Sequence, residues 1–69
     1  MKLGTYKHYK GQLYEVIAFA KHTETLEEMV VYKALYGDYK IWVRSKQLFD
    51  GLITHEESGK RIKRFEYID

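Results

Sequence analysis

Met29-Val30-Val31-Tyr32-Lys33-Ala34-Leu35-Tyr36-Gly37-Asp38-Tyr39-Lys40-Ile41-Trp42-Val43-Arg44 sets two β-branched and aromatic runs on either side of a Gly-Asp pair. A glycine-bearing pair between apolar runs is compatible with a primed two-residue turn, so the stretch reads as a β-hairpin. A two-residue loop places Tyr36 opposite Tyr39, Ala34 opposite Ile41 and Tyr32 opposite Val43 on one face. Leu35 then faces Lys40, Lys33 faces Trp42 and Val31 faces Arg44 on the other. The first set is the expected core. The second sets Trp42 in the open near Lys33, Lys40 and Arg44, each cation–π contact contributing about 0.5–1 kcal/mol at an exposed site.

Outward from this hairpin the dominant period is two, with glycine-bearing turns between short runs, which predicts a small antiparallel sheet or barrel. Strands are expected over Thr5–Tyr9, Leu13–Lys21, Met29–Tyr36, Tyr39–Arg44 and Ile62–Ile68, with a further short strand over Leu52–His55. In the second run Tyr14, Val16, Ala18 and Ala20 form a charge-free face and are expected to be buried; Glu15, Ile17 and Phe19 share the other. A loop of Lys10, Gly11 and Gln12 aligns Tyr6 with Val16 and His8 with Tyr14. Ser45 has the chemistry to cap a single helical turn through Phe49, ended by Gly51. Thr25 and Glu28 have the spacing of a capping box.

Sixty-nine residues make one domain, 1–69, at the size where a single core barely suffices. The absence of cysteine excludes disulfides, thiolate zinc sites and thiol catalysis, and fits a cytoplasmic setting. No apolar run approaches the roughly 18 residues needed to span a bilayer, and Met1-Lys2-Leu3-Gly4 lacks the apolar region of a signal peptide. Twelve basic residues against ten acidic ones give a net charge of +2, too mild to indicate nucleic acid by itself. The compositional outlier is aromatic: seven tyrosines, each a large ring with a polar tip, suit a small β domain or a contact surface.

Titratable residues gather before the third strand, in His22-Thr23-Glu24-Thr25-Leu26-Glu27. An imidazole and two carboxylates suit a transition metal, but His22, Glu24 and Glu27 lack the two-histidine helical spacing of metalloproteases, and a further ligand must come from His8 or His55. No metal or cofactor is therefore expected. Ser45 and Ser58 lie outside any nucleophile-elbow context and no glycine-rich loop precedes a helix, so catalysis is disfavoured. A binding module fits better. Its expected surface is Phe19, Lys33, Trp42 and Arg44 with the adjoining loop residues His22, Glu24, Thr25 and Glu27, serving a protein partner or self-association. Single-stranded nucleic acid is the alternative, since aromatics beside Lys and Arg stack bases and track phosphates.

Read end to end, the chain resembles the bacterial family known as domain of unknown function 1653. The resemblance rests on Gly4-Thr5-Tyr6-Lys7-His8-Tyr9-Lys10-Gly11, Tyr14-Glu15-Val16, His22 to Glu27 leading into Val30-Val31-Tyr32, Leu35-Tyr36-Gly37, Trp42-Val43-Arg44 and Arg64-Phe65. Ser45 stands where proline is expected after the Trp-Val-Arg segment. The resemblance implies a small bacterial single-domain protein and carries no catalytic residue. The strand count and the one-turn helix before the last strands lead to the expectation of a mainly β fold, a five-stranded, partly open barrel of the SH3-like kind.

Overall fold

The computed structural model describes all residues, 1–69. Seven strands and one helical turn follow in the order β1 (Gly4–His8), β2 (Leu13–Lys21), β3 (Glu28–Ala34), β4 (Ile41–Ser45), α1 (Lys46–Phe49), β5 (Leu52–Thr54), β6 (Arg61–Lys63) and β7 (Phe65–Tyr67). Five of them form one antiparallel sheet in the order β4-β3-β2-β1-β7, while β5 and β6 pair separately. The fold is thus mainly β, as expected. Two details differ: the run expected as one strand, Ile62–Ile68, divides at Arg64, and the sheet stays open, with β4 and β7 as its edges.

The division at Arg64 has a backbone cause. Its N–H donates to the Gly51 carbonyl at 3.1 Å and its carbonyl accepts from the Tyr9 N–H at 2.9 Å, so this residue hands the chain from the small ribbon to the edge of the large sheet. The large sheet curls strongly. In a flat sheet, Tyr32 on β3 and Phe65 on β7 lie three strand spacings apart, about 14 Å; their ring centroids are 5.7 Å apart.

The β3–β4 register, the faces of β2 and the β1–β2 register each differ from expectation. The β3–β4 register pairs Tyr32 with Trp42, Val30 with Arg44 and Lys33 with Ile41, one residue away from the two-residue-loop alignment. The connection is longer: the Tyr36 carbonyl accepts from the Tyr39 N–H, the Lys40 carbonyl from the Ala34 N–H, and both Gly37 and Tyr39 have positive φ. A one-residue slip exchanges the faces of a strand. Trp42 and Arg44 therefore share the face of Tyr32, and Ile41 and Val43, expected in the core, are exposed.

In β2 a bulge between Val16 and Ala18 interrupts the pairing. An inserted residue reverses the alternation beyond it. Tyr14 and Val16 point inward as expected, but Phe19 then takes the inward parity by pairing with buried Val30, and Ala18 and Ala20 are exposed. The opening hairpin keeps its faces but shifts by two residues, with Tyr6 opposite Tyr14 and Gly4 opposite Val16. Gly4 allows a close approach there, since a Cβ at this position would stand 2.8 Å from the Asp69 carbonyl oxygen.

The core is small and aromatic. Tyr6, Val16, Val30, Tyr32, Phe49 and Phe65 form it, with Tyr14 packed alongside. The helical turn supplies the keystone. The Ser45 side chain accepts from the Leu48 N–H at 3.2 Å, as expected of an N-cap, and Phe49 is delivered onto Phe65 with stacked rings 4.0 Å apart. Tyr6 and Tyr32 meet Phe49 edge-on at 5.4 and 5.2 Å. With seven of 69 residues buried, the loss of any such ring removes a large part of the whole.

Candidate binding face

The residues expected to bind separate into four places. Trp42 stands at the rim of the inner face with half of its surface exposed, beside Arg44, whose Nε donates to the Tyr32 hydroxyl at 3.4 Å. Lys33 lies on the opposite face, paired with Ile41, and its ammonium sits 5.8 Å from the Tyr39 ring centroid. The expected cation–π partner of Lys33 is thus Tyr39 in place of Trp42. Phe19 lies toward the other end of the inner face, where it lines a groove of about 400 Å³ with Met1, Lys21 and Lys46.

His22, Glu24, Thr25 and Glu27 sit in the β2–β3 loop, whose end of β3 lies four residues along from Tyr32, or about 13 Å at the usual rise per strand residue. Here the imidazole is structural. Its Nδ1 accepts from the backbone N–H groups of Glu24 and Thr25 at 3.2 and 3.3 Å, which fixes the neutral tautomer with hydrogen on Nε2. The expected capping box at Thr25 and Glu28 is replaced by a tighter turn, in which the Thr25 hydroxyl accepts from the Glu27 N–H. Glu24 and Glu27 form no ion pair with Lys21 or Arg44; the ion pair present joins Lys46 to Glu28 at 3.4 Å. No group of three or more His, Asp or Glu side chains gathers at metal-binding distance.

A second loop repeats this turn. His55-Glu56-Glu57-Ser58-Gly59-Lys60 matches His22-Thr23-Glu24-Thr25-Leu26-Glu27 position by position in its backbone bonds. In each, the histidine N–H donates to the sixth residue's carbonyl, the fifth residue's N–H donates to the histidine carbonyl, and the fourth residue's hydroxyl accepts from the sixth N–H. The fifth residue has positive φ in both, 61° at Leu26 and 69° at Gly59. The shared pattern His-x-Glu-Ser/Thr was the available signal for this likeness, and sequence inspection for longer repeats passes over it.

The part of the inner face that the sequence reading missed lies around His8. Its ring packs 4.9 Å from Phe65, 4.5 Å from Tyr9 and 6.2 Å from Tyr14. Burial lowers the His8 pKa from its ordinary value, and Arg64, Lys10 and Arg44 lower it further through their charge. Beside it the Tyr14 hydroxyl is pushed up to about 12, by burial first and then by its 2.6 Å hydrogen bond to the Tyr36 hydroxyl. Aromatic rings and uncompensated cations thus share this end of the face.

Comparison with known proteins places the chain. It is similar to a protein from Bordetella bronchiseptica of the same family, whose crystal structure superimposes with a TM-score of 0.86 at 30% identity, covering 99% of this chain and 87% of that one. No curated protein matches. The family model described as "protein of unknown function (DUF1653)" matches residues 4–67, nearly the full length. The chain belongs to the DUF1653 family.

Proposed function

We propose that this domain is a non-enzymatic binding module, its curled sheet an open variant of the SH3-like barrel, that associates along the β4 edge with a second copy of itself. The observation that carries the reading is the edge itself: Ile41, Trp42 and Val43 are consecutive on a strand paired with β3 on one side only, and each is more than half exposed. Exposed edges are normally blunted by proline, lysine or a bulge. The β4 strand, Ile41-Trp42-Val43-Arg44-Ser45, has no proline, lysine or bulge, and its single charge, Arg44, lies on the inner face, so strand addition is the mode of recognition that such an edge serves.

Self-complementarity favours a second copy over other proteins. The Ala34 N–H bond to the Lys40 carbonyl turns the backbone of Lys40 toward β3, so alternation turns the N–H and C=O of Ile41, Val43 and Ser45 outward. Two β4 strands running antiparallel about Val43 set Val43 against its copy and Trp42 against Arg44 of the second copy, twice over by symmetry. Each ring then receives a cation, and the exposed apolar row is covered.

Sedimentation velocity over a concentration series tests this. The wild type is expected to shift from monomer toward dimer as concentration rises, Trp42→Ala to weaken the shift, and Val43→Lys to abolish it by setting like charges directly opposite. A wild type that stays monomeric up to its solubility limit overturns the second copy as partner. Nucleic acid is tested alongside, by titrating single-stranded oligonucleotide at two salt concentrations: binding that falls steeply with salt establishes that rival.

A further inference from the structure

A groove of about 400 Å³ opens where β2, β3 and the start of α1 meet, at the lower end of the size range of small-molecule sites. Its apolar wall follows from the bulge in β2. The inserted residue turns Phe19 to the face of Val30, yet Val30 is fully buried whereas Phe19 keeps 48% of its surface exposed, so a ring on the core side of the sheet is left half uncovered. Met1 and Met29, the two methionines of the chain, line the groove beside it. Their flexible, polarizable side chains adapt to the outline of an incoming apolar group.

Charge at the groove is unbalanced. Lys21 and Glu28 are cross-strand partners on β2 and β3, but the Glu28 carboxylate lies 3.4 Å from the Lys46 ammonium, and Lys21 forms no ion pair. Two lysines thus border the groove with one carboxylate to share, which leaves one positive charge in excess. The Lys46–Glu28 pair is itself exposed, and such pairs contribute little and yield to a competitor.

We infer that this groove binds a small carboxylate carrying an apolar tail, of the medium-chain fatty acid class. The tail covers Phe19 and the methionine side chains, while the head group takes Lys21 and competes with Glu28 for Lys46. The single excess charge matches a carboxylate, whereas a phosphate monoester brings nearly two negative charges. Ammonium groups also suit a head that approaches from open solvent, since they supply charge and donors without the fixed fork of a guanidinium.

Titration with octanoate, followed by NMR through the methyl signals of Met1 and Met29, tests the site. Octanol, with the same tail and no charge, and acetate, with the same head and no tail, are the paired probes. Octanoate is expected to shift the methionine methyls to saturation, and each paired probe to bind at least about fivefold more weakly. Phe19→Ala, outside the core cluster, is expected to lower octanoate affinity about tenfold. Lys21→Gln is expected to lower it by up to about fivefold, and Glu28→Gln to raise it by a similar factor because the competing carboxylate is gone. These opposite signs distinguish a head-group site from adhesion to an apolar patch. Methionine methyls that do not respond to octanoate, octanol that binds as tightly as octanoate, or a Glu28→Gln variant without gain overturns the site, and tighter binding of octyl phosphate overturns the carboxylate as its ligand.

Discussion

The loops His22–Glu27 and His55–Lys60 share one backbone turn but differ at its fifth position, where the first has Leu26 and the second Gly59. The left-handed conformation costs a non-glycine residue about 1–2 kcal/mol, and glycine nothing. Gly59 shows that this turn has an unstrained solution, so the leucine at the equivalent place is held against a local cost. It also lies at the loop tip with 68% of its surface exposed, the most exposed large apolar side chain of the molecule. The supports differ as well. The first loop ends a hairpin whose strands carry fully buried Val16 and Val30; the second ends a two-stranded ribbon with Ile53 and Ile62 only half-buried.

The largest effect is expected at the centre of the core. Phe49→Ala removes the ring stacked on Phe65 and is expected to cost about 3–5 kcal/mol, comparable to the stability of so small a domain. Urea titration checks it, and amide exchange sharpens the contrast: the β2–β3 hairpin is expected to exchange more slowly than the β5–β6 ribbon in the wild type, and at the same rate in the variant. Next comes the exchange of fifth-position residues. Gly59→Leu is expected to destabilise its ribbon by about 1–2 kcal/mol and Leu26→Gly to stabilise the domain by up to about 1 kcal/mol, read by exchange and by urea midpoint. A Leu26→Gly variant no more stable than wild type breaks the comparison.

Smaller again is the histidine at the head of each turn. His22 accepts from two backbone N–H groups, whereas His55 Nδ1 meets only the Ser58 hydroxyl, at 3.4 Å. His22→Ala is therefore expected to cost about 1 kcal/mol and His55→Ala less than half of that, by thermal or chemical unfolding. His8 heads a third turn in the same manner, through Lys10. Because its folded pKa is lowered, the unfolded chain binds more protons just below the ordinary histidine value of 6.5. Stability from His8 is thus complete above 6.5 and declines as pH falls through that value toward the folded pKa. Tyr14 acts at the alkaline end: with its pKa raised from 10.0 to about 12, stability declines as pH rises from 10 toward 12. Urea midpoints across pH check both, with His8→Gln and Tyr14→Phe expected to remove the respective slopes.

The strands were legible because alternation of apolar and polar residues survives in β1, in the first half of β2 and in β3, where Tyr6, Val16, Val30 and Tyr32 fill the core. Faces failed where the chain inserts a residue without a glycine to announce it. Tyr39 in a left-handed conformation shifts β4 by one, and the bulge at Ile17 reverses the second half of β2. Both events trade local strain or lost pairing for contacts from distant strands, which no short window of sequence contains. The same limit applies to the site. Trp42 and Arg44 were recognisable as a pair, but their shared face with Tyr32 depends on Tyr39, and the meeting of His8 with Phe65 depends on β7 returning to β1.

The central claim is that β4 pairs with β4 of a second copy, and the outward backbone groups of that strand report on it directly. Amide exchange of Ile41, Val43 and Ser45, measured from dilute to concentrated protein, is the most direct test. Slowing of Val43 exchange with concentration, with Trp42 and Arg44 unchanged because β3 already pairs them, is the result predicted. Val43 exchange that is fast and independent of concentration contradicts it.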